Sequence, residues 1–201
     1  MQCGARRSTP KVSDGKVQKK NNWQPSTDYY HAPEPRMVLV DRQRPREGFK
    51  HVLRKEDIYR FLELLPDWNK LAVGLNAIVL APGSEWADGY YYHCGVVHVC
   101  AWQEDLWTEC SESYYQGHAE IFERLGVPCD ALPSGSFLCK FDEASVRAYQ
   151  LLHILLHELG HHHDRMTSRS QKRTGRGEPY AEAYAFEHET IIWERFWKAF
   201  P

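Results

Sequence analysis

The chain of 201 residues is long enough for one domain with its own core. Its composition is that of a folded globule, and no apolar run reaches the roughly eighteen residues of a membrane span. The formal net charge of −2 hides an uneven distribution. Residues 1–55 carry 13 Lys or Arg against 5 Asp or Glu, and residues 56–201 carry 12 against 22, so a basic arm precedes an acidic body.

Residues 1–35 are rich in Lys, Arg, Ser, Asn, Gln and Pro, with little to bury. They read as a flexible basic leader ahead of a domain over 36–201. Such an arm can hold nucleic acid, although a solvated tail is the preferred reading. Met1 to Pro25 lacks a hydrophobic signal core, so a cytoplasmic protein is expected. The six cysteines show no C-x-x-C spacing, which argues against a zinc knuckle and for small buried hydrophobes.

Met37 to Val40 suits a short strand, and 55–65 has apolar residues at helical spacing up to Pro66. Asn76 to Ala81 reads as a buried strand closed by Pro82-Gly83, Tyr90 to Ala101 as another, and Asp105 to Cys110 as a third. A helix is predicted over 112–125, with Ser111 as cap and Gly126 as stop. Phe137 to Phe141 suits a strand, and Asp142 caps the next helix.

That helix carries the chemistry. The run from Ala144 to Leu159 is apolar around most of its circumference, as expected of a helix buried in a core. Within it stands H-E-x-x-H: His157, Glu158 and His161. Histidines four apart share one helix face and can share one ion, and Glu158 can act as base on a metal-bound water. Two imidazoles, a third protein ligand and a water make an open zinc site. Polar groups in so apolar a helix cost several kcal/mol unless they are paired, on the order of the burial penalty for unsatisfied groups.

The third ligand is sought downstream. Arg165 to Gly177 is a polar loop able to reverse the chain, and a last helix over 179–198 opens at Glu178-Pro179. Glu182, one turn in and followed by small residues, is the preferred ligand, with Glu178 and Glu189 as alternatives. Ile191, Ile192, Trp193, Phe196 and Trp197 anchor this helix in the core. Tyr180, Tyr184 and His188 are near enough in sequence to offer an oxyanion donor, but none stands out. His153, four before His157, either supports a ligand from behind or is simply a buried, hydrogen-bonded imidazole, and the second reading is preferred. His162 and His163 face away from the ligands, and Asp164 either accepts from a ligand imidazole or is solvated.

HELGH followed some twenty residues later by E-A-Y-A-F resembles the gluzincin branch of the zincin metallopeptidases, the compact bacterial ImmA/IrrE-like group above all. The resemblance covers residues 137–190. It implies a minimal zincin domain of α+β class, a small twisted sheet packed against a buried HExxH helix and a C-terminal helix. It also implies one zinc held by His157, His161 and Glu182, and Glu158 as general base for hydrolysis of a peptide bond in a protein or peptide. Compact zincins hold extended peptide along an exposed strand, a role that falls on Gly95 to Ala101 or leaves that segment an interior strand. Larger gluzincins place an aspartate four residues after the third ligand to orient the first histidine. Here Phe186 stands at that position, which leaves the partner unassigned.

Other metal classes fit less well. Metzincins need a histidine where Thr167 stands, peptide deformylases need a different context around their cysteine than that of Cys110, and His163-Asp164 lacks the flanking pattern of an HD phosphohydrolase. The alternative to an enzyme is a regulatory or sensing zincin module with little turnover that binds a partner protein. The retained Glu158 argues for catalysis, because a structural zinc has no use for a base there.

Overall fold

The computed structural model describes residues 28–31, 37–168 and 175–201, with the backbone of 12–13 and 16–17. The reading of 1–35 as a flexible leader therefore lies largely outside the described residues. In chain order the elements are β1 (Val12–Ser13), β2 (Lys16–Val17), β3 (Leu39–Arg42), β4 (Phe49–Lys50), α1 (Lys55–Leu62), α2 (Trp68–Leu71) and β5 (Ala77–Ala81). There follow β6 (Gly89–Tyr92), β7 (Val96–Cys100), β8 (Trp102–Gln103), β9 (Trp107–Cys110), α3 (Glu112–Arg124), β10 (Cys129–Ala131) and β11 (Phe137–Lys140). A long helical stretch comes next: α4 (Glu143–Tyr149), a π-helical turn over Gln150–Leu155, and α5 (Leu156–Thr167). The chain ends in α6 (Glu178–Ala199). This is a mixed architecture compatible with an α+β class.

The main sheet has the order β3-β5-β7-β6. Its first three strands are parallel, and β6 runs antiparallel to β7 at the edge. Burial explains the composition: every residue of β5 and β7 is buried, as near-continuous apolar runs in parallel strands require. One sequence expectation is corrected here. Tyr90 to Ala101 is not one strand but two, folded back at Gly95 with φ +79. A Cβ at Gly95 would lie 2.0 Å from the Gly74 carbonyl oxygen, so only glycine fits that turn. Gly95–Ala101 is accordingly interior, and the sheet ends in β3 on one side and β6 on the other.

A second sheet of order β10-β11-β9 is antiparallel and brings Cys129 opposite Cys139. The Sγ atoms of Cys110 and Cys139 lie 3.9 Å apart, and the described cysteines are free thiols. The core joins α1, β5, β7 and the π-turn through Ile58, Phe61, Ile78, Leu80, Val97, Leu151, Leu152 and Leu155. A smaller cluster forms where Tyr29 packs with Ala77, Val79 and Val96, so part of the segment read as leader docks on the sheet. Among the described residues no helix is long and apolar enough to cross a membrane.

Several histidines are buried in neutral form. Burial lowers His98 and His51 from 6.5 to about 4, with Tyr30 donating to His98 Nε2 at 2.8 Å and His51 Nε2 donating to the Gln43 carbonyl. The unfolded chain takes up these protons at higher pH than the folded one, so this stability is complete above 6.5 and lost as pH falls towards 4. The expected outcome is a melting temperature that declines through that window, with a shallower decline in His98→Gln, followed by circular dichroism.

Candidate metal centre

The helix of the H-E-x-x-H motif starts under local control and finishes under tertiary control. Asp142 caps α4 by accepting from the Ser145 backbone N–H at 2.7 Å. Leu151, Leu152, Leu155, Leu156 and Leu159 are all buried to completion, which fixes the helix in the core. The π-turn adds a local departure from α spacing just before the motif, a feature common at functional sites. There the Gln150 amide donates to the Cys100 carbonyl at 2.7 Å and ties the turn to the end of β7. His157 and His161 then stand with ring centroids 4.9 Å apart.

The opposing carboxylates come from α6. Its start is set by Gly177, with φ +68, and by Pro179 in the first turn. Asp164, buried at the end of α5, accepts from the Arg176 guanidinium at 2.7 Å and from the backbone N–H groups of Arg176 and Gly177 at 2.8 and 3.2 Å. Burial pushes its carboxyl up, yet these donors hold it below the usual value. Asp164 is thus neither solvated nor bonded to a ligand imidazole; it fixes where the chain re-enters α6. The close approach of the two helices rests on Gly160, where a Cβ would meet the Ala181 Cα at 2.9 Å and its carbonyl oxygen at 3.0 Å.

This packing sets two rungs. Glu178 Oε2 lies 3.0 Å from His157 Nε2, and Glu178 Oε1 lies 3.4 Å from His161 Nε2. Glu182 Oε2 lies 3.0 Å from His157 Nδ1 on the other side of the same ring. The structure therefore brings His157 and His161 together with Glu178, one of the two alternatives, and these three could hold a metal ion. Glu182, the preferred ligand, supports His157 from behind. Glu189 is buried against Arg124, whose guanidinium also covers the Trp193 ring at 4.1 Å, and takes no part. Glu182 stands four residues after Glu178, at Nδ1 of the first motif histidine. The spacing E-x-x-x-E was the signal in the sequence.

Electrostatics separate the acids. Glu158 is 7 % exposed, and burial raises its carboxyl from 4.5 to about 8. Burial pulls His157 down, but the hydrogen bond to Glu182 and the neighbouring carboxylates outweigh it and leave the ring above its usual value. Burial lowers His161, which stacks on Tyr91 of β6. Tyr91 in turn donates to His162 Nδ1, and His162 Nε2 donates to the carbonyls of Leu71 and Val73. His163 pairs with Tyr180, so His162 and His163 do lie off the ligand face.

Tyr91, His157, Glu158, His161, Glu178 and Glu182 border one cavity of about 1060 Å³. Strand β6 forms one wall so closely that a Cβ at Gly89 would sit 2.7 Å from Glu158 Oε1. The opposite wall holds groups that sequence reasoning missed. Tyr114 donates to Asp88 at 2.5 Å, Tyr149 donates to Tyr114 at 2.7 Å, and His118 stacks on Tyr114 with centroids 4.1 Å apart. Asp88 precedes β6, Tyr114 and His118 belong to α3 and Tyr149 to α4, far apart in sequence, and no spacing announces their meeting.

No family model, curated protein or solved structure matches this chain. The donor chemistry can be tested on its own terms. Metal–ligand bonds of about 2 Å at a tetrahedral angle separate ligand atoms by roughly 3.3 Å. The Nε2 atoms of His157 and His161 lie 3.0 and 3.4 Å from different oxygens of Glu178, each near that span, and two imidazoles with one carboxylate suit a zinc-like ion.

Because backbone, not a flexible side chain, faces Gly160, Gly160→Ala is expected to destabilise the fold by about 1–3 kcal/mol, the usual cost of overpacking. Urea denaturation in the presence of chelator measures it.

Proposed function

We propose that this chain is a zinc metallopeptidase of gluzincin type that hydrolyses peptide bonds in a protein or peptide substrate. The observation that carries the reading is the Glu178 carboxylate set against Nε2 of both motif histidines, with buried Glu158 facing the same cavity. The antiparallel edge strand β6 beside the motif helix, and α6 across it, support the reading of a minimal zincin domain.

His157, His161 and Glu178 would hold the ion. When bound, zinc acidifies water and polarises a carbonyl. Glu182 accepts the Nδ1 proton of His157, which fixes the ring and its tautomer and makes Nε2 the better donor to a metal. Glu158 takes the proton released as the carbonyl is attacked and hands it to the leaving amine. Burial sets its pKa high in the metal-free chain, and a cation beside it lowers that value into the range where the group can first accept and then return a proton. Strand β6 has one edge unpaired by the main sheet, on which an extended peptide can lay its main-chain hydrogen bonds.

The test is cleavage of unfolded protein or peptide by the zinc-loaded chain. Glu158→Gln should keep its metal and lose roughly 10²- to 10⁴-fold in rate, the usual contribution of a general base. Glu178→Ala should lose one ion per chain by elemental analysis. No cleavage by a fully loaded wild type would instead favour a module that binds a partner protein without turnover. Gly89→Ala should displace the Glu158 carboxylate, lowering kcat while metal content stays unchanged.

A further inference from the structure

The cavity contains a second group of potential ligands beside the first. His118 of α3, His153 of the π-turn and Glu182 of α6 each offer one ligand atom, and all three atoms lie within 4.8 Å of one another. His118 Nδ1 donates to the Tyr114 carbonyl at 2.7 Å. That bond fixes the tautomer and leaves the lone pair on Nε2, the pre-orientation that ligating histidines have. Glu182 uses Oε2 for His157, which leaves Oε1 for other work.

His153 supplies the independent observation. The residue is 2 % exposed, and its Nδ1 is buried with no hydrogen-bond partner. Its Nε2 stands 3.7 Å from Glu182 Oε1, too long for a hydrogen bond. Nε2 is the nitrogen that faces Glu182, and a buried imidazole nitrogen that no hydrogen bond reaches calls for a water or an ion. The 3.7 Å gap is near the roughly 3.3 Å that separates two ligands of one tetrahedral ion. All three side chains line the cavity, so an ion has a path in and an open coordination position.

We propose that His118, His153 and Glu182 form a second divalent-cation site, distinct from the centre at His157, His161 and Glu178. Two imidazoles and one carboxylate select a zinc-like ion over calcium or magnesium, which prefer all-oxygen shells. Glu182 serves both sites with different oxygens, Oε2 to the His157 ring and Oε1 to the second ion. The second site does not depend on the peptidase reading.

The test strips the full chain with chelator, titrates it to saturation with zinc and counts ions per chain by elemental analysis, with cobalt absorption as a second readout. Wild type should hold two ions, His118→Ala one and His161→Ala one. His118 is only partly buried, so its truncation should leave the fold intact, which circular dichroism checks. A wild type with one ion that His118→Ala keeps and His161→Ala loses would overturn the second site and leave the first. A single ion lost in His118→Ala but kept in His161→Ala would support the second site and overturn the first. Two ions retained in His118→Ala would also overturn the proposal.

Discussion

The candidate centre depends on how closely α6 can approach α5. Gly160 inside the motif faces the Ala181 backbone, and any side chain there would collide with main-chain atoms that cannot rotate away. At that distance, two histidines one turn apart on one helix meet two glutamates one turn apart on the other. Equal spacing on both helices makes the rungs register together, since residues four apart lie on one face. Asp164 holds the returning chain by its backbone, so the register of α6 is set before its first turn begins.

Burial then gives chemically similar acids different work. Glu178 is exposed at the mouth of the cavity, Glu182 is half-buried behind His157, and Glu158 is enclosed under β6. Burial pushes the enclosed Glu158 up in pKa, because it lacks both water and a close donor. The same low-dielectric wall raises Tyr114 and Tyr149, which satisfy each other and Asp88 by hydrogen bonds and remain neutral. His153 sits at the junction of this network with the carboxylates, and burial lowers it to about 3.

Strand β6 joins a sheet edge to the buried Glu158 carboxylate. It is an edge of the main sheet, it packs on α5, and its Gly89 allows backbone to come within van der Waals reach of Glu158. Tyr91, next but one, stacks on His161 and ties the strand to the motif helix through His162. One strand thus shapes the wall, encloses Glu158 and braces a histidine.

Much of this was written locally in the sequence. Apolar periodicity located the motif helix, Asp142 and Ser111 announced their caps, and H-E-x-x-H placed His157, Glu158 and His161 on one side of α5. Such features depend on neighbours within a turn or two, so sequence spacing is enough. Which glutamate of α6 meets which histidine was not of that kind. Glu178 and Glu182 have the same spacing relative to their helix, and only the Gly160–Ala181 contact and the Asp164 anchor set the axial offset that puts Glu178 at Nε2 and Glu182 at Nδ1. The choice of β6 over β7 as the free edge likewise followed from a hairpin at Gly95 that a continuous apolar run concealed. The meeting of His118 with His153 and Glu182 joins three elements with no shared motif, a contact that exists only once the chain has folded around its core.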